Sequence, residues 1–213
     1  MQSLVVVFLL LLVAGCGQGH AAATDSARAD SLALGRQDSI NRAQPGYIVD
    51  SILPIEEQLR RFRVGLTVAR DFNGGARSRE ELVGSFMRNL ETADTAALVR
   101  LTVSRAEFAY LVYPESPLSA PPYAQAPDLV WMRHVAASST GLNRLLDRLP
   151  GTRLWLRSLS CSEPPISEGA NRIWRDCMVR FAPQGGVMQT MQLFSSVIER
   201  QGQYKILSYA NAF

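Results

Sequence analysis

Three cysteines and two histidines hold most of the reactive chemistry available to this 213-residue chain. Cys161 and Cys177 form a natural pair. A hairpin turning around Glu168-Gly169-Ala170 sets residues whose numbers sum to 338 opposite one another, which brings Cys161 against Cys177 and makes a disulfide geometrically feasible. Closing that 16-residue loop stabilises a fold by roughly 3 kcal/mol on chain-entropy grounds; two buried free thiols are the alternative. A metal site is the weaker reading, because neither cysteine has a histidine nearby: His20 and His134 are both far away in sequence. His134 falls inside an expected helix, where a lone histidine is more often structural or solvated than catalytic. There is no Gly-rich phosphate loop, no nucleophile elbow and no His/Cys metal pattern, so the motifs point to no cofactor and no metal.

The third cysteine has a different setting. Leu4 to Gly15 is an unbroken apolar run of 12 residues, short of the roughly 20 that span a bilayer. It ends in Val13-Ala14-Gly15-Cys16, with small side chains directly before the cysteine as a signal peptidase requires. This stretch resembles the lipobox of bacterial lipoproteins, although Met1-Gln2-Ser3 contains no lysine or arginine. The resemblance implies that residues 1–15 are a signal peptide and that Cys16 becomes a lipidated (palmitate-bearing) N-terminus. An ordinary cleaved signal and a retained anchor are the alternatives. Each buried methylene of an acyl chain contributes about 0.8 kcal/mol, so two or more chains hold a protein at a membrane. Gly17 rather than Asp follows the cysteine, which in lipoproteins of two-membraned bacteria implies the outer membrane. The expected address is therefore exported and lipid-anchored to the cell membrane or outer membrane, with the domain facing the periplasm or exterior. Such a compartment lets Cys161 and Cys177 oxidise.

The remainder has the size and apolar content of one domain, with 47% hydrophobic residues. Of 22 basic residues only Lys205 is a lysine. The arginines are dispersed among 19 acidic residues, and no basic stripe is interleaved with aromatics, so nucleic acid is not an expected partner. From Gly17 to Gln44 the composition is polar and the periodicity weak. Residues 16–45 read as a lipidated flexible tether with a root-mean-square span of roughly 30 Å, and residues 46–213 as a single α+β domain.

Within it, helices are expected over 52–149. Ser51 is the predicted N-cap of a helix with Pro54 in its first turn, in which Ile55, Leu59, Phe62 and Leu66 share a face. Ser78-Arg79-Glu80-Glu81 and Ser104-Arg105-Ala106-Glu107 fit capping boxes, and Asp94 caps a short helix between them. Five of 11 prolines lie between Pro114 and Pro127, predicting a long stiff loop on which Tyr110, Tyr113, Tyr123 and Glu115 could rim a pocket or present a surface. Asp128 is the predicted cap of a last helix running to Leu149, stopped by Pro150-Gly151. Over 152–213 the spacing changes to alternation. Leu154-Leu156, Ile173 to Phe181, Met191 to Val197 and Tyr204 to Ser208 read as consecutive strands of an antiparallel meander, with turns at Pro183 to Gly186 and Gln201 to Gln203.

Helices first and a curled sheet last give residues 78–213 a resemblance to the ketosteroid-isomerase-like, or nuclear transport factor 2-like, α+β roll, a cystatin-like architecture. Leu90-Glu91-Thr92-Ala93-Asp94-Thr95-Ala96-Ala97-Leu98 is similar to the opening of that fold, and the Pro-rich loop is a departure from it. The resemblance implies a cone-shaped pocket between sheet and helices. Enzymes of that fold place a carboxylate or histidine base with Tyr or Asp donors in the pocket, which nominates Asp176, Tyr209, Tyr110 and His134 here, with Tyr113 and Tyr123 as surface candidates. The fold itself does not decide chemistry. The expectation is a non-catalytic envelope lipoprotein that binds a small apolar ligand or an envelope protein; the alternative is a pocket enzyme performing proton transfer or hydrolysis.

Overall fold

The computed structural model describes residues 19–44, 53–149 and 151–211. The apolar run from Leu4, the lipidation candidate Cys16 and Ser51 lie outside the described residues; the cap position predicted for Ser51 is held by Pro54 instead. The chain divides into two units, Met1–Ile52 and Leu53–Phe213. In the first, Gly19–Arg42 forms helix α1, where a flexible tether was expected. Alanine, leucine, arginine and glutamine are good helix formers and raise no barrier to it, and the weak apolar periodicity shows in Leu32 and Leu34, which stay exposed.

In the second unit the helical grammar is obeyed closely. Helix α2 (Ile55–Phe62) buries Phe62, with Ile55, Leu59 and Leu66 packed more loosely around it. Helix α3 (Arg79–Glu91) starts where Ser78 Oγ accepts from the Glu81 N–H at 3.0 Å. Glu81 in turn accepts from Arg77 N rather than Ser78 N, so only half of the box forms. Its stripe Leu82, Val83, Phe86, Met87 and Leu90 is buried, as the i, i+4, i+8 spacing requires. Asp94 caps α4 (Thr95–Arg100) through the Ala97 N–H at 2.8 Å. The second capping box is complete and opens α5 (Arg105–Glu107), which runs on as a π-helical turn, Phe108–Val112.

Helix α6 (Pro127–Arg148) corrects one expectation: its cap position is Ala126, with Pro127 first inside. Proline has no N–H to leave unsatisfied at that position, so Asp128 moves into the first turn. Tyr113 and Glu115 anchor the Pro-rich segment before α6. The buried Tyr113 hydroxyl donates to Gln125 O at 2.6 Å. Glu115 pairs with Arg200 at 2.8 Å and accepts from the Ala170 N–H. Gly169, at φ +57°, leaves room for that carboxylate, because a Cβ there would overlap it.

Two antiparallel sheets follow, ordered β1-β4-β5 and β2-β3-β6-β7. The strands are β1 (Leu154–Ser160), β2 (Ile166–Glu168), β3 (Asn171–Arg175), β4 (Met178–Pro183), β5 (Gln189–Met191), β6 (Ser196–Arg200) and β7 (Gln203–Ser208). Each long predicted strand is thus broken in two: Ile173 to Phe181 bends at Asp176, whose φ is +52°, and Met191 to Val197 breaks before Ser196. Taken as bent strands, β1 joined with β2, β3 with β4 and β5 with β6, they pair in chain order, β4 against β1 and β5, β3 against β2 and β6, so the meander order survives the bend. The hairpin register differs on either side. Ser167 faces Arg172 in β2–β3, one residue from the predicted sum, whereas Ser160 faces Met178 in β1–β4, in agreement with it. Cys161 and Cys177 extend that second ladder and are disulfide-bonded, with Cα atoms 4.0 Å apart.

The larger sheet is covered on both faces. Trp174, Val197 and Ile206 belong to one core with α3 and the end of α6, while Ile173 and Ile198 belong to a second core with α2 and the π-helical turn. Strand β6 is accordingly buried from Ser196 to Glu199. The free edge of β7 is closed by backbone hydrogen bonds to Ala76, Leu101 and Val103, which leaves no open ladder there.

Candidate functional site

Opposite neighbours in adjacent strands share a face. Ile173 lies opposite Ile198, and Ile198 opposite Lys205. That row starts in the second core and ends at a lysine only 2% exposed. Lys205 Nζ donates to Asn73 O at 2.7 Å and to both Glu107 oxygens at 3.0 and 2.8 Å. Glu107, 3% exposed, also accepts from the N–H groups of Asn73 and Ser104 at 2.6 and 2.7 Å. The capping-box glutamate is therefore the counter-ion of the single lysine. All three ammonium protons have acceptors, as a buried charge requires. Burial lowers the Lys205 pKa below its ordinary value, with Glu107 acting in the opposite direction.

Above this pair lies a cavity of about 590 Å³, within the range of roughly 300–1,000 Å³ that small-molecule sites occupy. Helix α6 forms one wall with Trp131, His134, Val135, Ser138 and Leu142, which fall on one stripe. Segment 99–105 forms the other wall, with Val99 and Val103 as its apolar members, and Lys205 and Tyr209 complete the lining. Val99 and Val135 remain 56% and 39% exposed at the opening.

The polar groups differ in how far they are engaged. Tyr209 is buried, donates its hydroxyl to Leu98 O at 2.7 Å, and burial raises its pKa far above the usual phenol range. Ser138 Oγ accepts from Tyr209 N at 3.1 Å. His134 stacks on Trp131, ring centroids 5.3 Å apart at 18°, and neither of its nitrogens has a hydrogen-bond partner among the described residues. Burial lowers its pKa, so the ring is neutral at pH 7. Among the described residues no cluster of three or more His, Cys, Asp or Glu could hold a metal, and no helix is long and apolar enough to cross a membrane.

Of the seven residues nominated from sequence, two meet here: His134 and Tyr209. The other five do not line the cavity, Glu115 being paired with Arg200. Tyr110 lies in the π-helical turn beneath the Arg63 guanidinium, 4.5 Å from its ring centre. Tyr113 is the internal anchor of the Pro-rich loop, and Tyr123 is 59% exposed on it. Asp176 sits exposed at the strand bend, accepting from Ser162 Oγ at 2.9 Å. No family model, curated protein or solved structure matches the chain.

Lys205, Glu107 and the α6 stripe are not among the site residues nominated from sequence. Two signals existed. The one lysine in an arginine-dominated chain stands inside a strand, and Trp131, His134, Val135, Ser138 and Leu142 recur at helical spacing. The arrangement can hold an apolar molecule against valines and an indole, but its buried charges are already paired with each other.

Proposed function

We propose that residues 53–213 are a ketosteroid-isomerase-like roll that binds a small, largely apolar ligand in the cavity beneath α6, without chemistry. We further propose that lipidated Cys16 holds it at a bacterial envelope membrane. The observation that carries the binding reading is the cavity itself, whose strongest acid and base, Glu107 and Lys205, are mutually satisfied and so offer no activated group. The bent four-segment meander supports the roll, and the Cys161–Cys177 disulfide fits an oxidising compartment.

The test is titration with the neutral fluorophore N-phenyl-1-naphthylamine. Saturable one-to-one binding is expected for the wild type, weakened about tenfold or more by Val135→Trp, which fills the opening at a half-exposed position. Absence of saturable binding by the wild type would sink the reading. The address is tested separately by intact mass spectrometry of native protein, in which residues 1–15 are expected to be missing and Cys16 acylated.

One observation favours a second reading, a pocket enzyme: His134 lines the cavity without a hydrogen-bond partner among the described residues. A general base contributes about 10²–10⁴-fold in rate, so a turnover activity lost by at least that factor in His134→Gln is the mark of an enzyme. Two of the buried polar donors of the lining are spent, Tyr209 on Leu98 and Lys205 on Glu107, which is why binding is preferred.

A further inference from the structure

We infer that the ligand of this cavity is an anionic amphiphile, a single acyl or alkyl chain ending in a carboxylate or phosphate; this rests on the binding reading above. The cavity lining holds three cations, Arg100, Arg105 and Lys205, and one carboxylate, Glu107. Lys205 and Glu107 neutralise each other at the floor. Arg100 and Arg105 have no acidic partner among the described residues, so the mouth carries uncompensated positive charge above an apolar interior.

The two arginines are placed by the segment that joins α4 to α5. Arg100 is the last residue of α4 and Arg105 the first of α5. Arg105 is steadied by stacking on Phe62, its guanidinium carbon 4.6 Å from the ring centre. Stacking uses the face of the guanidinium and leaves its in-plane N–H groups free, the groups that grip carboxylate or phosphate in pairs. Beyond them, Val103, Trp131 and Leu142 offer a surface for a chain. Charge at the mouth and hydrocarbon inside match an amphiphile with its head at the arginines and its tail directed inward.

Isothermal titration of the full domain with four dodecyl compounds below their micelle concentrations tests this. Dodecanoate or dodecyl phosphate is expected to bind about tenfold tighter than dodecanol at low ionic strength, as two partly exposed charged contacts together allow. The tighter of the two anions identifies the head group. The advantage should shrink in salt and vanish in Arg100→Gln/Arg105→Gln, a change at exposed positions, the affinity of each anion being compared with that of dodecanol for the same variant. Equal affinity for dodecanol, tighter binding of dodecyltrimethylammonium, or an anion preference that survives the double substitution overturns the anionic ligand while the binding reading stands. No binding of any of the four overturns the binding reading and this inference with it.

Discussion

Replacing Lys205 with methionine is the most informative single perturbation of the fold. The side chains are of similar length, so the change removes charge and hydrogen bonds with little loss of volume. The Glu107 carboxylate would keep the N–H groups of Asn73 and Ser104 but lose its counter-ion, and Asn73 O would lose the ammonium that reaches it at 2.7 Å. Breaking a buried pair by removing one partner costs about 3–5 kcal/mol. That is a large share of the roughly 5–15 kcal/mol that holds a domain together. At about 2–4 °C per kcal/mol for a unit of this size, Tm should fall by roughly 6–20 °C.

The companion variant Glu107→Gln/Lys205→Met separates charge from packing. Burial outweighs Glu107 in setting the direction of the Lys205 pKa, so desolvation opposes the attraction between the two. Removing both charges should therefore cost much less than removing one. Urea unfolding followed by tryptophan fluorescence, with midpoint and slope both measured, gives the two free energies. A Lys205→Met loss below about 1 kcal/mol, or a double variant no more stable than the single, would refute a buried and coupled pair.

Three further outcomes are expected. Gly141 in α6 packs so closely on the end of β7 that a Cβ would overlap the Tyr209 carbonyl oxygen; Gly141→Ala should cost about 3 kcal/mol or more by overpacking, measured by urea unfolding. The folded His134 pKa lies below its unfolded value because of burial, so as pH falls through about 6.5 the unfolded chain takes up a proton that the folded state refuses. Stability is then lost toward low pH and regained toward neutrality, and His134→Gln should flatten that part of a Tm-against-pH profile. Reducing Cys161–Cys177, which closes a 16-residue separation, should lower stability by roughly 3 kcal/mol, read from unfolding with and without reductant.

Local signals in this chain were legible where a single residue type has a single backbone use. Ser78, Asp94 and Ser104 all accept from the backbone three residues ahead, as their positions before helical runs require. The disulfide was legible for a related reason: antiparallel pairing makes residue numbers sum to a constant, and β1–β4 from Ser158 to Ser160 keeps the sum that joins Cys161 to Cys177. What the sum did not convey is that the ladder holding it is not the β2–β3 hairpin, because the bend at Asp176 sends the two halves into different sheets.

The site was less legible because its two central residues each have a plausible role on the surface. Strand alternation puts Tyr204 and Ile206 on one face and Lys205 on the other, and with helices on one side only that other face would be solvent. A second core, built from α2, the π-helical turn and Val103, covers it instead. Once that face is covered, Lys205 has to find an anion inside the protein. Glu107 is available because the capping box already fixes its carboxylate at the N-terminus of α5, with Ser104 N and Asn73 N as donors. A cap read as local and the chain's one lysine thus become one contact spanning 98 residues. The cavity floor follows from that contact, since the same pair that buries Lys205 ties β7 to the segment carrying Arg100 and Arg105.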